Sequence, residues 1–335
     1  MSNPQEHPLR HRMDLDTYAQ GVLEGDRVVL SRAITLVESS LASDQLLAGQ
    51  LMERLMPYTG KSLRVGITGP PGVGKSTFID RLGGLMISQG HRVAVLAVDP
   101  SSLENKGSIL GDKTRMQALC QQPNAYIRPS PSKGTLGGIS AHTRESSLLC
   151  EAAGFDRIIV ETVGVGQSEV SVREMVDFFV LLTMPGAGDE LQGIKKGVME
   201  MADLIMINKA DGDRIAAALL AHAELENALL LFPAKSNGWI PKILTCSSTD
   251  SVGLDQVLSV LEEFAVHMSA GGFMEAHRAE QRVHWLHQQL RYLLERRFFE
   301  HPEISEQIPH VREQVRVGQI SSIAAANRLM ELFLK

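Results

Sequence analysis

The sequence predicts an α/β fold: a mostly parallel sheet flanked by helices, with a helical extension before it and a helical arm after it. Seven short β-branched runs carry the first part of that expectation. They read LRVGIT, VAVLAVD, NAYIRP, RIIVET, DFFVLLT, DLIMIN and PKILTC, and they alternate with helix-length segments from Leu63 onward. Apolar runs of that length between helices are what strands buried on both faces look like. The second observation is a glycine-rich GPPGVGKS, Gly69–Ser76, between the first run and a helical pattern. The third is helical periodicity without strand runs before Leu63 and after Gly271–Gly272. The expected organisation is therefore an N-terminal helical extension over 1–57, an α/β domain over 58–270 and a C-terminal helical arm over 271–335.

Taken in order, the extension from Leu15 to Met56 predicts two amphipathic helices. Leu30, Ala33, Ile34 and Val37 follow i, i+3, i+4, i+7 spacing, and Leu47, Leu51 and Leu55 recur every fourth residue. Asp26 and Asp44 stand where N-caps belong, and Pro57 ends the run. In the central domain, the carboxyl ends of the strands are where a parallel sheet gathers its chemistry. Those ends read Gly69, Asp99, Arg128, Glu161, Thr183, Asn208 and Cys246. In the arm, Val283, Leu286, Leu290 and Leu293 keep a three-four spacing that presents a seam to another helix, either on a second subunit or on the chain's own domain. His284 and His287 share a face there, and without supporting Cys or Asp they read as a solvated face rather than a metal site.

Composition narrows the class. The 335 residues are 44% hydrophobic and 21% charged, which fits a chain able to bury a large core and excludes disorder or low complexity. A net charge of −6 argues against a nucleic-acid footprint spread over the surface. Cys120, Cys150 and Cys246 are odd in number and far apart, so neither a disulfide framework nor a CxxC metal site is expected, and a reducing cytosol or matrix is the simplest setting, with the cytoplasm the expected compartment. No stretch is apolar enough to predict a membrane span.

GPPGVGKS matches GxxxxGK[ST] in the strand–loop–helix context that gives the pattern its meaning. Gly69, Pro70, Pro71, Gly72, Val73 and Gly74 would wrap backbone amides around phosphate. Lys75 would bring a cation to the β- and γ-phosphates and Ser76 a hydroxyl ligand for Mg²⁺, with Thr77 following in the first helical turn. The base is chosen elsewhere. In NKAD, Asn208–Asp211, the Asp211 carboxylate can accept from the N1 and N2 donors of guanine, a pair that adenine lacks. Asn208 would tie the loop together and contact the base, and the stem of Lys209 would lie along the ring. After the next strand, the TCSS turn (Thr245–Ser248) would bring the amides around Ser247 and Ser248 to the guanine O6. GTP, with GDP as product, is the expected nucleotide.

These residues, together with GSILGDKTRM, IRPSPSKGTLGG, ETVGVGQSE and PGAGDELQGIKKG, resemble the MeaB/ArgK family of P-loop GTPases from about Ser31 to Gly253. The resemblance implies a SIMIBI-like G domain over 58–270. It implies that Asp99, Asp112 and Glu161 surround Mg²⁺ with Ser76. Asp112 becomes a catalytic candidate beside Lys75, and Asp189, Gln192 and Lys195 form a third switch. Glu161 opens an ExxG where many G proteins have DxxG, and Val165 follows it instead of a water-orienting Gln, so hydrolysis is expected to be slow alone and stimulated by a partner. The family also implies a client, an adenosylcobalamin-dependent acyl-CoA mutase, with cobalamin adenosyltransferase as a further partner and a homodimer formed through the arm. A second reading is a kinase linked to basic amino-acid transport, which would need a phosphoacceptor pocket beside the γ-phosphate.

Overall fold

The computed structural model describes residues 12–39, 41–98, 116–129, 136–162, 168–186 and 196–334. The chain divides into two compact units, Met1–Ala279 and Glu280–Lys335.

The first unit opens with three helices where the periodicity predicted two: α1 (Leu15–Leu23), α2 (Arg27–Val37) and α3 (Ala42–Leu55). The break after α1 is local chemistry. Gly25 takes a left-handed φ of 74°, and the Asp26 carboxylate then accepts from the Val28 and Val29 amides as an N-cap. Asp44 is not a cap, because α3 has already begun at Ala42. Its buried carboxylate instead binds Arg12 Nε at 2.6 Å and the Ser39 hydroxyl at 2.6 Å. On α2, Leu30, Ala33, Ile34 and Val37 are buried as their spacing required.

All seven expected strands form: β1 (Leu63–Thr68), β2 (Val93–Val98), β3 (Ala125–Arg128), β4 (Arg157–Thr162), β5 (Phe178–Thr183), β6 (Leu204–Ile207) and β7 (Lys242–Thr245). They make one parallel sheet in the order β3-β2-β4-β1-β5-β6-β7. Every residue of β1 and β5 is buried, which is why their runs lack alternation. Helices α4 (Lys75–Ser88), α5 (Gln117–Cys120), α6 (Leu136–Ala152), α7 (Ser168–Arg173), α8 (Lys196–Met201), α9 (Ile215–Leu229) and α10 (Leu254–Ala270) complete the layers. One core joins Ile67, Phe78, Leu82, Leu182 and Phe264, and another joins Leu181, Met199, Ile207 and Leu225 across the sheet. β1 lies at the centre between β4 and β5, so the loop that follows it emerges where the sheet's connections diverge.

The amino ends of β1 and β5 are held by buried charge pairs. Asp177 accepts from the Arg64 amide at 2.9 Å and from Arg278 Nε and Nη2 at 2.9 and 2.6 Å. Arg278 also donates to the Gly60 and Ser62 carbonyls at 2.5 and 2.6 Å. Glu151 of α6 accepts from Arg64 Nε at 2.6 Å and from the Ser62 hydroxyl at 2.5 Å. Buried charges need partners of this kind to be tolerated.

Helix α11 (Phe273–Phe299) runs from the first unit into the second, where α12 (Pro302–Arg316) and α13 (Ser322–Phe333) pack through Ile304, Val311 and Ala325. Val283, Leu286, Leu290 and Leu293 of α11 are exposed in the chain. No described helix is long and apolar enough to cross a membrane.

Candidate functional site

The loop after β1 folds as its glycines dictate. Gly69 has φ 154°, and a Cβ there would stand 2.5 Å from the Leu182 carbonyl oxygen, so the loop leaves the sheet against the β5 backbone. Gly74, the N-cap of α4, has φ 96°, and a Cβ on it would meet Asn208 Nδ2 at 2.8 Å. Neither position accommodates a side chain. α4 starts at Lys75, so its free amides and positive end face the loop, the arrangement that favours an anion.

The Lys75 ammonium donates to the Gly69 and Pro70 carbonyls at 2.7 and 3.2 Å. Burial lowers its pKa, while the Glu161 and Glu169 carboxylates act in the opposite direction. Glu169, in the first turn of α7, is buried, and sequence reasoning misses it because nothing in its spacing pairs it with the loop. Ser76 Oγ lies 3.4 Å from Glu161 Oε1, and Glu161 is itself buried at the end of β4.

Asn208 fastens two loops together. Its Nδ2 donates to the Val73 carbonyl at 2.8 Å, while its Oδ1 accepts from Ser248 Oγ at 2.7 Å, Ser248 N at 3.2 Å and Cys246 Sγ at 3.3 Å. The side chain is 1% exposed, so each of these bonds is sheltered from water. Lys209 takes a left-handed φ of 60°, and its ammonium reaches the Gly72 carbonyl at 2.6 Å. Asp211 Oδ2 accepts from Ser247 Oγ at 2.7 Å. Burial pushes the Cys246 thiol up to about 12, with Ser248 opposing the shift.

The sheet thus brings Gly69–Thr77, Asn208, Lys209, Asp211, Ser247 and Ser248 to one end, with Ser76 beside Glu161. The Ser247 amide bonds to Val252 O at 3.1 Å across an antiparallel bridge, and the Ser248 amide bonds to Asn208 Oδ1 at 3.2 Å, which sets the shape of the turn after β7. Asp99, Asp112, Asp189, Gln192 and Lys195, with Gly164 and Val165, lie outside the described residues.

A parallel sheet of this order, with GxxxxGKS closing on a helix after its central strand, defines a P-loop NTPase. Similarity to known proteins narrows the class. Residues 30–303 match the family model described as methylmalonyl Co-A mutase-associated GTPase MeaB. A mitochondrial methylmalonic aciduria type A homolog of Mus musculus is 46% identical over 329 residues, spanning 95% of this chain and 79% of that one. The GTPase ArgK of Escherichia coli is 51% identical over 266 residues, 79% of this chain and 80% of that one. The crystal structure of a protein named LAO/AO transport system kinase superposes with a TM-score of 0.74 at 38% identity, covering 96% of this chain and 98% of that one. The chain belongs to the MeaB family, and it is a GTPase that binds guanine nucleotide.

Proposed function

We propose that this GTPase is a chaperone for an adenosylcobalamin-dependent acyl-CoA mutase, with methylmalonyl-CoA mutase as the preferred client. In this reading it gates loading of the cofactor from a cobalamin adenosyltransferase, and it protects or reactivates the enzyme in the cytoplasm. The observation that carries the reading is the match of residues 30–303 to a mutase-associated GTPase family, supported by 46% identity to a methylmalonic aciduria type A homolog over 95% of the chain. The exposed seam of Val283, Leu286, Leu290 and Leu293 supports a homodimer.

The chain's own residues would act as follows. The loop amides and Lys75 bind the phosphates, Asp211 selects guanine, and Asn208 keeps the two loops in register. Ser76 and Glu161 form a close, all-oxygen pair of the kind hard Mg²⁺ prefers, with Asp99 and Asp112 as the remaining candidate ligands. Bound there, Mg²⁺ would neutralise charge on the β- and γ-phosphates. Asp112 is the candidate for orienting the attacking water. Asp189, Gln192 and Lys195 would relay the nucleotide state to the client, as ordered and released loops do in other GTPases.

The kinase reading has one observation in its favour, the name carried by the 38% identical transport system kinase. Phosphoryl transfer to an acceptor needs a pocket beside the γ-phosphate and a base for the acceptor's hydroxyl or amine. The deciding experiment is steady-state hydrolysis of GTP and of ATP with and without purified methylmalonyl-CoA mutase. GTP-specific turnover that rises on adding the mutase is the expected result. Turnover indifferent to it would remove that client.

A further inference from the structure

Three strands away from the nucleotide loop, β3 is the outermost strand of the sheet, with no strand on its outer edge among those described. Helix α2 lies beside it and is bolted to it. Arg27 Nη2 donates to the Ala125 carbonyl at 2.5 Å, Ser31 Oγ meets the Tyr126 hydroxyl at 3.1 Å, and Arg128 Nη2 donates to Thr35 Oγ1 at 3.2 Å. These bonds leave a fixed hollow of about 600 Å³ whose lining includes Arg27, Val28, Ser31, Arg32, Thr35 and Arg128. A second hollow of about 430 Å³ continues from it toward α1 and α3, and the two share Arg32 and Thr35. Together they form a trench along the solvent side of α2.

The charges in this trench do not cancel. Arg12 is paired with Asp44, and Arg128 with Glu38. Arg27 donates to a backbone carbonyl, which carries no net charge, and Arg32 makes no ion pair among the described residues. Two guanidinium charges are thus left over, on a chain whose net charge is −6. The rest of the lining is mixed: Val28 and the hydroxyls of Ser31 and Thr35, with Tyr126 and Ile127 on the β3 side and Tyr18 and Leu36 in the second hollow. From Arg27 to Arg32 the helix rises about 7.5 Å, which an extended chain covers in about two to three residues, so carboxylates at alternate positions of a strand match the two arginines. Planar guanidinium groups spaced along a groove match carboxylates carried at intervals on a strand.

We propose that this trench is the docking surface for an extended acidic segment of a partner protein. It is separate from the nucleotide site and does not depend on which client the GTPase serves. Acidic segments would be steered to it from a distance and held by bidentate pairs to Arg27 and Arg32.

The test is fluorescence anisotropy of a labelled hexaglutamate peptide with the full chain, at about 20 and about 200 mM salt. The expected result is binding at low salt that weakens at least about tenfold at the higher salt. Arg32→Glu should weaken binding about tenfold or more, and Arg27→Glu with Arg32→Glu should abolish it. Because Arg27 also braces β3, the single Arg32→Glu variant is the decisive one, with its melting temperature and GTP hydrolysis matched to the parent's. Arg312→Glu, at an exposed arginine of the second unit, should leave binding unchanged. The proposal is overturned if Arg32→Glu binds like the parent or if Arg312→Glu weakens binding equally. It is also overturned if free glutamate competes as well as the peptide at equal carboxylate concentration.

Discussion

Replacing Asn208 by Ala should damage nucleotide binding without touching a phosphate contact. The side chain is 1% exposed and is bonded to Val73 O, Ser248 N and Ser248 Oγ at 2.8, 3.2 and 2.7 Å. Truncation strands the Val73 carbonyl and the Ser248 amide, two buried backbone groups that cost about 1–3 kcal/mol each when unpaired. Water entering the space recovers part of that, leaving about 3 kcal/mol. If that energy holds the phosphate loop and the base loop in register, GTP affinity should fall about 100-fold. The melting temperature should also drop by several degrees. Titration of a fluorescent GTP analogue, with a thermal melt alongside, reads both quantities. Asn208→Asp separates the two halves of the argument. It keeps an acceptor for Ser248 but loses the donor to Val73 and sets a carboxylate against that carbonyl, so it should be at least as harmful. Affinity within about threefold of the parent for Asn208→Ala would refute the reasoning.

Further outcomes follow from the same geometry. Asp211→Asn should cost about 3 kcal/mol of GTP affinity and narrow the preference for GTP over ATP, because the guanine donors lose a charged acceptor; competition titrations measure it. Arg278→Ala should destabilise the chain by about 3–5 kcal/mol, since Asp177 is left buried without its guanidinium; a denaturant melt at unchanged slope reads the loss. With the Cys246 thiol pushed up to about 12 by burial, iodoacetamide at mildly alkaline pH should modify half-buried Cys120 before Cys246, as peptide mass mapping would show. The linked stability term has a definite sign. Folded and unfolded thiols are both protonated below the ordinary thiol value, so nothing changes there. As pH rises from that value toward about 12, only the unfolded thiol ionises, and stability falls.

Much of the fold was legible because its signals are local. Each buried strand is a short β-branched run, and the phosphate loop is a strand, a glycine turn and a helix start within a few residues of one another. The extension was harder to read. Its apolar spacing marked the buried face of α2 but not the break at Gly25, because periodicity reports which face is buried and not where one helix stops. Asp44 looked like a cap by type and became a buried partner of Arg12, a choice made by residues 32 positions apart.

The sequence by itself determined the class of chemistry, a guanine-nucleotide-binding GTPase, because the motifs behind that reading, GPPGVGKS and NKAD, are short and local. Only the tertiary structure decided how those pieces work as one site. Asn208 meets Val73 across 135 positions, Glu161 meets Ser76 across 85, and the Ser247 amide is claimed by Val252 across a bridge. The family resemblance implied that Glu161 and Ser76 share a site, but no spacing in the sequence gives the partner or the geometry of the Asn208–Val73 and Ser247–Val252 bonds. They arise because parallel strands in the order β3-β2-β4-β1-β5-β6-β7 deliver distant loops to the same end of the sheet, where burial makes every unpaired polar group costly and fixes which partner each one takes.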